Sequence, residues 1–161
     1  MVRCITTVSS ACNPGVTTLP PDLLFVTGCV ADQTGFWYRV VRPDGATLLK
    51  GSGTNAQMLM YVGAPSSGKA FAVGVAQADD PVSFNGPGLQ PSALNSLAVS
   101  VYRSQDGRRI FATRTPSRSV TRRSFALSDS GTHLAILSGD TVHLYAFGPS
   151  AVAGKVQAAK R

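Results

Sequence analysis

The stretch Ser124 to Phe147, SFALSDSGTHLAILSGDTVHLYAF, constrains the fold of this chain more than any other. An apolar run leads to a polar turn at Asp129-Ser130-Gly131, and a second run follows through Leu134, Ala135, Ile136 and Leu137. A turn at Gly139-Asp140 then opens an alternating run through Val142, Leu144 and Tyr145. Short apolar runs bounded by glycine with Asp or Ser read as strands joined by tight turns, so three antiparallel strands are predicted.

The rest of the chain carries relatives of this stretch. Leu23-Leu24-Phe25-Val26-Thr27-Gly28 lines up with Leu134-Ala135-Ile136-Leu137-Ser138-Gly139; Phe36 to Val41 then reads as a strand, Arg42-Pro43-Asp44-Gly45 as a turn, and Thr47-Leu48-Leu49 as the start of another strand. Val62 to Val73 aligns without gaps on Phe125 to Ile136, Val99-Ser100-Val101-Tyr102 has the form of Val142-His143-Leu144-Tyr145, and Asp106-Gly107 repeats Asp44-Gly45. The pattern is a four-stranded antiparallel meander in three imperfect copies, over 20–56, 57–115 and 120–147. Gly68 and Gly131 stand 63 residues apart, more than the roughly 40–50 of common propeller blades. A Pro- and Gly-rich insertion from Gln77 to Asn95 accounts for the excess. Segment 1–19 shows no periodicity, although Cys4-Ile5-Thr6-Thr7-Val8 is β-prone and a candidate edge strand. The tail, 148–161, is small and basic and is expected to fray.

The signature Phe125-x-x-Ser128-x-Ser130-Gly131-x-x-Leu134-Ala135-Ile136, followed by Val142-x-Leu144-Tyr145, resembles the blade repeat of WD40-like β-propellers. It departs from that repeat in having Ser-Asp-Ser-Gly at the turn and in lacking Gly-His and Trp-Asp pairs. The resemblance implies an all-β fold of antiparallel four-stranded meander units forming a partial β-propeller; the alternative is a β-sandwich, which shares short strands and turn spacing. Propellers have four to eight blades. This chain has at most three, the first without a clear outer strand and the last without its fourth, so it is expected to be the C-terminal part of a longer protein, with closure by other copies as the alternative.

Composition bounds the chain's class. A chain of 161 residues with 43% hydrophobic and 14% charged residues can bury a core. No apolar run reaches the roughly eighteen residues of a membrane span, and no signal peptide is evident at Met1 as written; a periplasmic or secreted location would require a truncated N-terminus. Cys4, Cys12 and Cys29 form no C-x-x-C pair and have no companion histidines, so no metal or redox motif is indicated. A disulfide between two of them would leave one thiol free.

Gly63-Ala64-Pro65-Ser66-Ser67-Gly68-Lys69-Ala70 satisfies G-x-x-x-x-G-K, yet Ala70 stands where a magnesium-binding hydroxyl belongs, and Phe71-Ala72-Val73-Gly74-Val75 does not open a helix. Its register match to Ser130-Gly131 reads it as a hairpin turn, and no cofactor is expected. A two-residue Gly139-Asp140 turn sets His143 opposite Ile136 and His133 opposite Ala146, on opposite sheet faces; a three-residue turn would put both histidines on one face. No nucleophile elbow or H-E-x-x-H is present, and Asp79-Asp80 reads as a turn. No catalytic residue, cofactor or metal ligand is assigned.

The formal charge of +7 lies wholly in residues 101–161. Arg103, Arg108, Arg109, Arg114, Arg118, Arg122 and Arg123 are interleaved with Ser, Thr and Pro rather than with the aromatics that single-strand binders use, so nucleic acid is not the expected partner. Together with Trp37, which sits beside Phe36 and Tyr38 on an inner strand and is expected to fill the space between sheets, they form the candidate interaction surface. The function implied is a non-enzymatic interaction or scaffold domain whose partner is another protein or the missing blades. The alternative is a fragment of a propeller hydrolase or oxidoreductase whose catalytic residues lie mostly outside this chain.

Overall fold

The computed structural model describes residues 9–10, 12–31, 34–79, 94–116 and 124–148. Within them the chain forms eleven strands and no helix. The first sheet takes β1 (Gly15–Leu19), β2 (Leu23–Cys29), β3 (Gly35–Val41) and β4 (Thr47–Thr54) in chain order. The middle sheet takes β5 (Gln57–Gly63), β6 (Ala70–Ala78), β7 (Leu94–Arg103) and β8 (Arg109–Pro116) in the same way. The third holds β9 (Phe125–Leu127), β10 (His133–Ser138) and β11 (Thr141–Ala146). All pairings are antiparallel, and none of the sheets closes on itself.

The turns explain why these residues form these strands. Gly68 and Gly131 both take positive φ, and their N–H groups donate to the carbonyls of Pro65 (3.0 Å) and Ser128 (2.8 Å), three residues back in each case. G-x-x-x-x-G-K is therefore the β5–β6 hairpin turn. At the other recurring turn, the Asp44 carboxylate accepts from Ala46 N–H at 2.9 Å and that of Asp106 accepts from Arg108 N–H at 3.1 Å. The two-residue Gly139-Asp140 turn sets Ser138 opposite Thr141, His143 opposite Ile136 and His133 opposite Ala146.

The three sheets stack face to face. Leu19, Leu23, Phe25, Phe36, Tyr38 and Val40 of the first sheet share a core with Val62, Phe71, Val73 and Tyr102 of the middle sheet. Ala70, Ala72, Ala76, Leu97, Val99 and Val101, on the other face of the middle sheet, share a second core with Phe125, Leu134, Ile136, Tyr145 and Phe147. β6 is thus covered on both sides, which is why AFAVGVAQA reads as a near-continuous apolar run instead of alternating. Burying a side chain such as Phe71 contributes roughly 1.5–3 kcal/mol.

Several sequence expectations need correction. The first sheet does have a fourth strand: β1 at Gly15–Leu19 supplies its edge, so regular structure begins before residue 20. Cys4 to Val8 and the tail beyond 148 lie outside the described residues. The insertion between β6 and β7 is narrower than Gln77–Asn95, since β6 runs to Ala78 and β7 begins at Leu94. The alignment of Leu23–Gly28 on Leu134–Gly139 fails in space. Leu23 and Phe25 point toward the sheet that follows them in the chain, whereas Leu134 and Ile136 point toward the sheet that precedes them. A one-residue offset reverses every side chain of a strand.

Candidate interaction faces

The alignment of the middle unit on the third holds residue by residue. Phe71 and Val73 point back to the first sheet, and their counterparts Leu134 and Ile136 point back to the middle sheet; Tyr102 and Tyr145 agree in the same way. The leading faces, those toward the next sheet along the chain, therefore correspond: Ala72, Val99 and Val101 match Ala135, Val142 and Leu144. In the middle sheet these positions lie beneath the third sheet, Val99 and Val101 at 0% exposure. In the third sheet nothing described covers them, and Val142 is 56% and Leu144 71% exposed. Leu137, opposite Val142 across the hairpin, extends the same apolar face.

At the other end of the stack, the outer face of the first sheet presents Val16, Leu24 and Val26, with Val16 opposite Val26. Trp37 belongs here. Phe36 and Tyr38 enter the core, and the period of two turns Trp37 to the outer side, half-buried, which corrects the expectation that it lies between sheets. A Cβ on Gly28 would meet the Trp37 ring at 2.4 Å, so only glycine lets the indole lie flat against β2. The indole N–H donates to Cys29 O at 3.1 Å, and the Arg39 guanidinium sits 5.7 Å from the ring centroid, within cation–π range. A disulfide between Cys12 and Cys29 ties the approach to β1 onto the end of β2, beside the indole.

Of the seven arginines, Arg103, Arg108, Arg109 and Arg114 fall among the described residues, at the end of β7, on the β7–β8 turn and on the edge strand β8; Arg118, Arg122 and Arg123 lie outside them. Arg103 is engaged: its Nε donates to the Asp106 carboxylate at 2.9 Å and its Nη2 completes a bidentate ion pair. The Arg103 hydrogen bond and then the Arg108 N–H hold the Asp106 carboxyl down to about 2. Arg108, Arg109 and Arg114 are exposed. The aromatic ring of β8, Phe111, points to the side opposite Arg114 and stacks on Phe147 at 4.8 Å, so the arginines and that ring share no surface.

The site types weighed from the sequence fall into ordinary structural roles. His133 and His143 lie on opposite faces of the third sheet, and among the described residues no three His, Cys, Asp or Glu side chains come together. The Tyr38 phenol is pushed well above its ordinary value, first by burial and then by the neighbouring Tyr102 hydroxyl. Asp129 caps the β5–β6 turn from the next sheet: its carboxylate accepts from the Ser66 hydroxyl at 2.7 Å and from Ser67 N–H at 3.1 Å, and both hold its pKa below the usual carboxylate range.

The apolar end faces were missed by motif reading, but a signal was present. In TVHLYA both alternating sets, Val142-Leu144-Ala146 and His143-Tyr145, are apolar or aromatic at their centres, as expected of a strand covered on both sides. No protein family, curated protein or solved structure matches this chain.

Proposed function

We infer that this chain is a β-propeller-type interaction or scaffold domain, non-enzymatic in itself, whose end faces receive further β-sheets. One observation carries the reading: positions fully buried in the middle sheet recur, with apolar residues, on a leading face of the third sheet that nothing described covers.

The manner of stacking supports the propeller form. Equivalent turns of successive sheets meet: Gly68 of the β5–β6 turn packs on Pro20-Pro21 of the β1–β2 turn, and Asp129 of the β9–β10 turn binds Ser66 and Ser67. On the other edge, Gly107 of the β7–β8 turn packs on Leu48 at the start of β4, and Arg42 Nη2 donates to Gln105 O at 2.6 Å. Sheets stacked in one sense by a repeated rule are the arrangement of propeller blades. The sandwich reading draws on a different observation. Only Asn55 and Ala56 join β4 to β5, a link short enough for strands that turn directly from one sheet into the next.

The test is photo-cross-linking in extracts of the source cell. A benzoyl-phenylalanine at position 142 is expected to give discrete cross-linked products, whether to further sheets of the same polypeptide or to another protein, and the same probe at Ser130 on the exposed turn is expected to give none. Equal labelling from both positions refutes the reading.

A further inference from the structure

We propose that the outer face of the first sheet binds a small oxyanion ligand, a phosphate or carboxylate carried on a short apolar body, between Arg39 and Lys50 at the β4 edge. The site goes beyond the interaction reading above and does not depend on what covers the end faces.

The first observation is electrostatic. Arg39 of β3 and Lys50 of β4 are directly opposed in the antiparallel register, so their side chains leave the sheet on the same face. That face is the outer one, because Tyr38 and Val40, on either side of Arg39, enter the core. Like charges directly opposite one another on a sheet are destabilising. Among the described residues neither cation meets a carboxylate, the ion pair there being that of Arg103 with Asp106 on the middle sheet. The next opposed pair on the face, Trp37 with Ser52, supplies no negative charge either. Two positive charges held side by side by the backbone attract an anion between them.

The second observation is a cavity at the same place. About 380 Å³ is lined by Arg39, Thr47, Leu48, Leu49 and Lys50, within the range of roughly 300–1,000 Å³ of small-molecule sites. The lining is mixed as such sites are: two cations and a hydroxyl for the oxyanion, two leucines for an apolar body of a few carbons. A β-bulge shapes this end of the sheet. Val40 stands opposite Leu49 and Val41 opposite Thr47, which leaves Leu48 as the extra residue. Gly107 of the β7–β8 turn packs against Leu48, so the bulge is braced by the middle sheet.

The third observation is position. The Arg39 guanidinium sits 5.7 Å from the centroid of the Trp37 ring, and that ring lies flat over Gly28. A planar guanidinium resting on a fixed ring has less freedom to lose when it binds. The site also lies at the rim of the face, beside the edge strand β4. On the middle sheet Arg109 and Arg114 hold the corresponding rim of the edge strand β8 and stay exposed, although Phe71 and Val73 at the centre of the same face are buried under the first sheet. A ligand at the rim is therefore compatible with a sheet over the centre.

Trp37 is the one tryptophan of the chain, and its contact with Arg39 makes its emission a reporter of the site. The test is titration of the full chain at constant ionic strength, followed by Trp37 emission, with n-butyl phosphate and pentanoate as probes and butanol as the uncharged control. At least one anion is expected to give a saturable change and butanol none; the tighter of the two names the headgroup. Lys50→Gln is expected to weaken binding about tenfold, whereas Lys50→Arg, which keeps the charge, is expected to stay within about threefold. Because Lys50→Gln relieves the opposed charges, its urea midpoint without ligand is expected at or above that of the unmodified chain, which also shows that the variant folds.

No saturable change with either anion up to about 10 mM, above the millimolar range of weak specific binding, overturns the proposal. So does a Lys50→Gln titration that coincides with that of the unmodified chain, or a response to butanol equal to that of the anions. None of these results touches the stacking of sheets within the chain, on which the propeller-type reading stands. That reading fails separately, if the cross-links from position 142 are no more specific than those from Ser130.

Discussion

Replacing Gly74 by alanine tests the junction between the middle and third sheets at its tightest point. A Cβ on Gly74 would stand 2.4 Å from Cε1 of Phe125 and 3.1 Å from Cζ, whereas ordinary contacts begin near 3.4 Å. The ring must therefore retreat by about 1 Å, yet Phe125 is 6% exposed and lies against the Tyr61 ring at 5.7 Å between centroids. Its strand, β9, has only three residues and among the described residues is paired to β10 alone. Overpacking of this kind costs about 1–3 kcal/mol. Alanine recovers about 0.5–1 kcal/mol of backbone entropy relative to glycine, which leaves a net loss of about 1 kcal/mol between the centres of the two ranges. In urea titration, with a slope of roughly 1–3 kcal/mol per molar, the midpoint is expected to fall by about 0.5–1 M. Phe125→Leu alone should cost about 1–2 kcal/mol through lost ring volume. The double variant should be more stable than the sum of the single losses by about 1 kcal/mol, because the smaller side chain admits the methyl group. A neutral or stabilising Gly74→Ala, or losses additive within about 0.5 kcal/mol, would refute the packing of Phe125 over β6.

Other perturbations reach the remaining joints. Breaking the Cys12–Cys29 disulfide, which spans 17 residues of sequence, should lower stability by about 3 kcal/mol through chain entropy; Cys12→Ser should unfold earlier than the unmodified chain on heating without reductant, and the two should converge when reductant is added. Asp129→Asn should weaken the cap on Ser66 and Ser67. Because the folded state holds the Asp129 carboxyl below its ordinary value, its contribution is present above the unfolded-state pKa and is lost as pH falls through the folded one. The gap between the unfolding curves of Asp129→Asn and the unmodified chain should therefore narrow below about pH 4, and a gap constant from pH 7 to 3 would contradict the cap. Gly107→Ala should cost more than Gly139→Ala: both glycines have positive φ, but a Cβ at 107 would lie 2.5 Å from the Leu48 carbonyl oxygen, while at 139 nothing lies within 4 Å. Equal midpoints for the two would deny the contact between the β7–β8 turn and β4.

What the sequence determined by itself was local. Gly68, Gly107 and Gly131 mark turns because a positive φ is nearly glycine's alone, and turns at those positions mark the strands between them. The all-β class, the β5–β6 hairpin at Gly63 to Ala70 and the matching of the middle unit to the third were all legible on that ground, whereas the opposition of His143 to Ile136 followed only once the turn at Gly139-Asp140 was seen to have two residues. The strand Gly15–Leu19 was not, because GVTTL lacks a clear alternation and becomes a strand only through its pairing with β2. Facing was left to the tertiary structure. Phe36, Trp37 and Tyr38 are consecutive aromatics, and an alternating strand must send one of the three away from the other two; the core chose Phe36 and Tyr38, and Gly28 made room for the indole outside. Pairing of Cys12 with Cys29 required β2 to carry one cysteine back beside the other. Whether Val142 and Leu144 are core or surface is equally beyond their own strand, since burial belongs to whatever stands opposite, and among the described residues that place is filled for Val99 and Val101 but not for them.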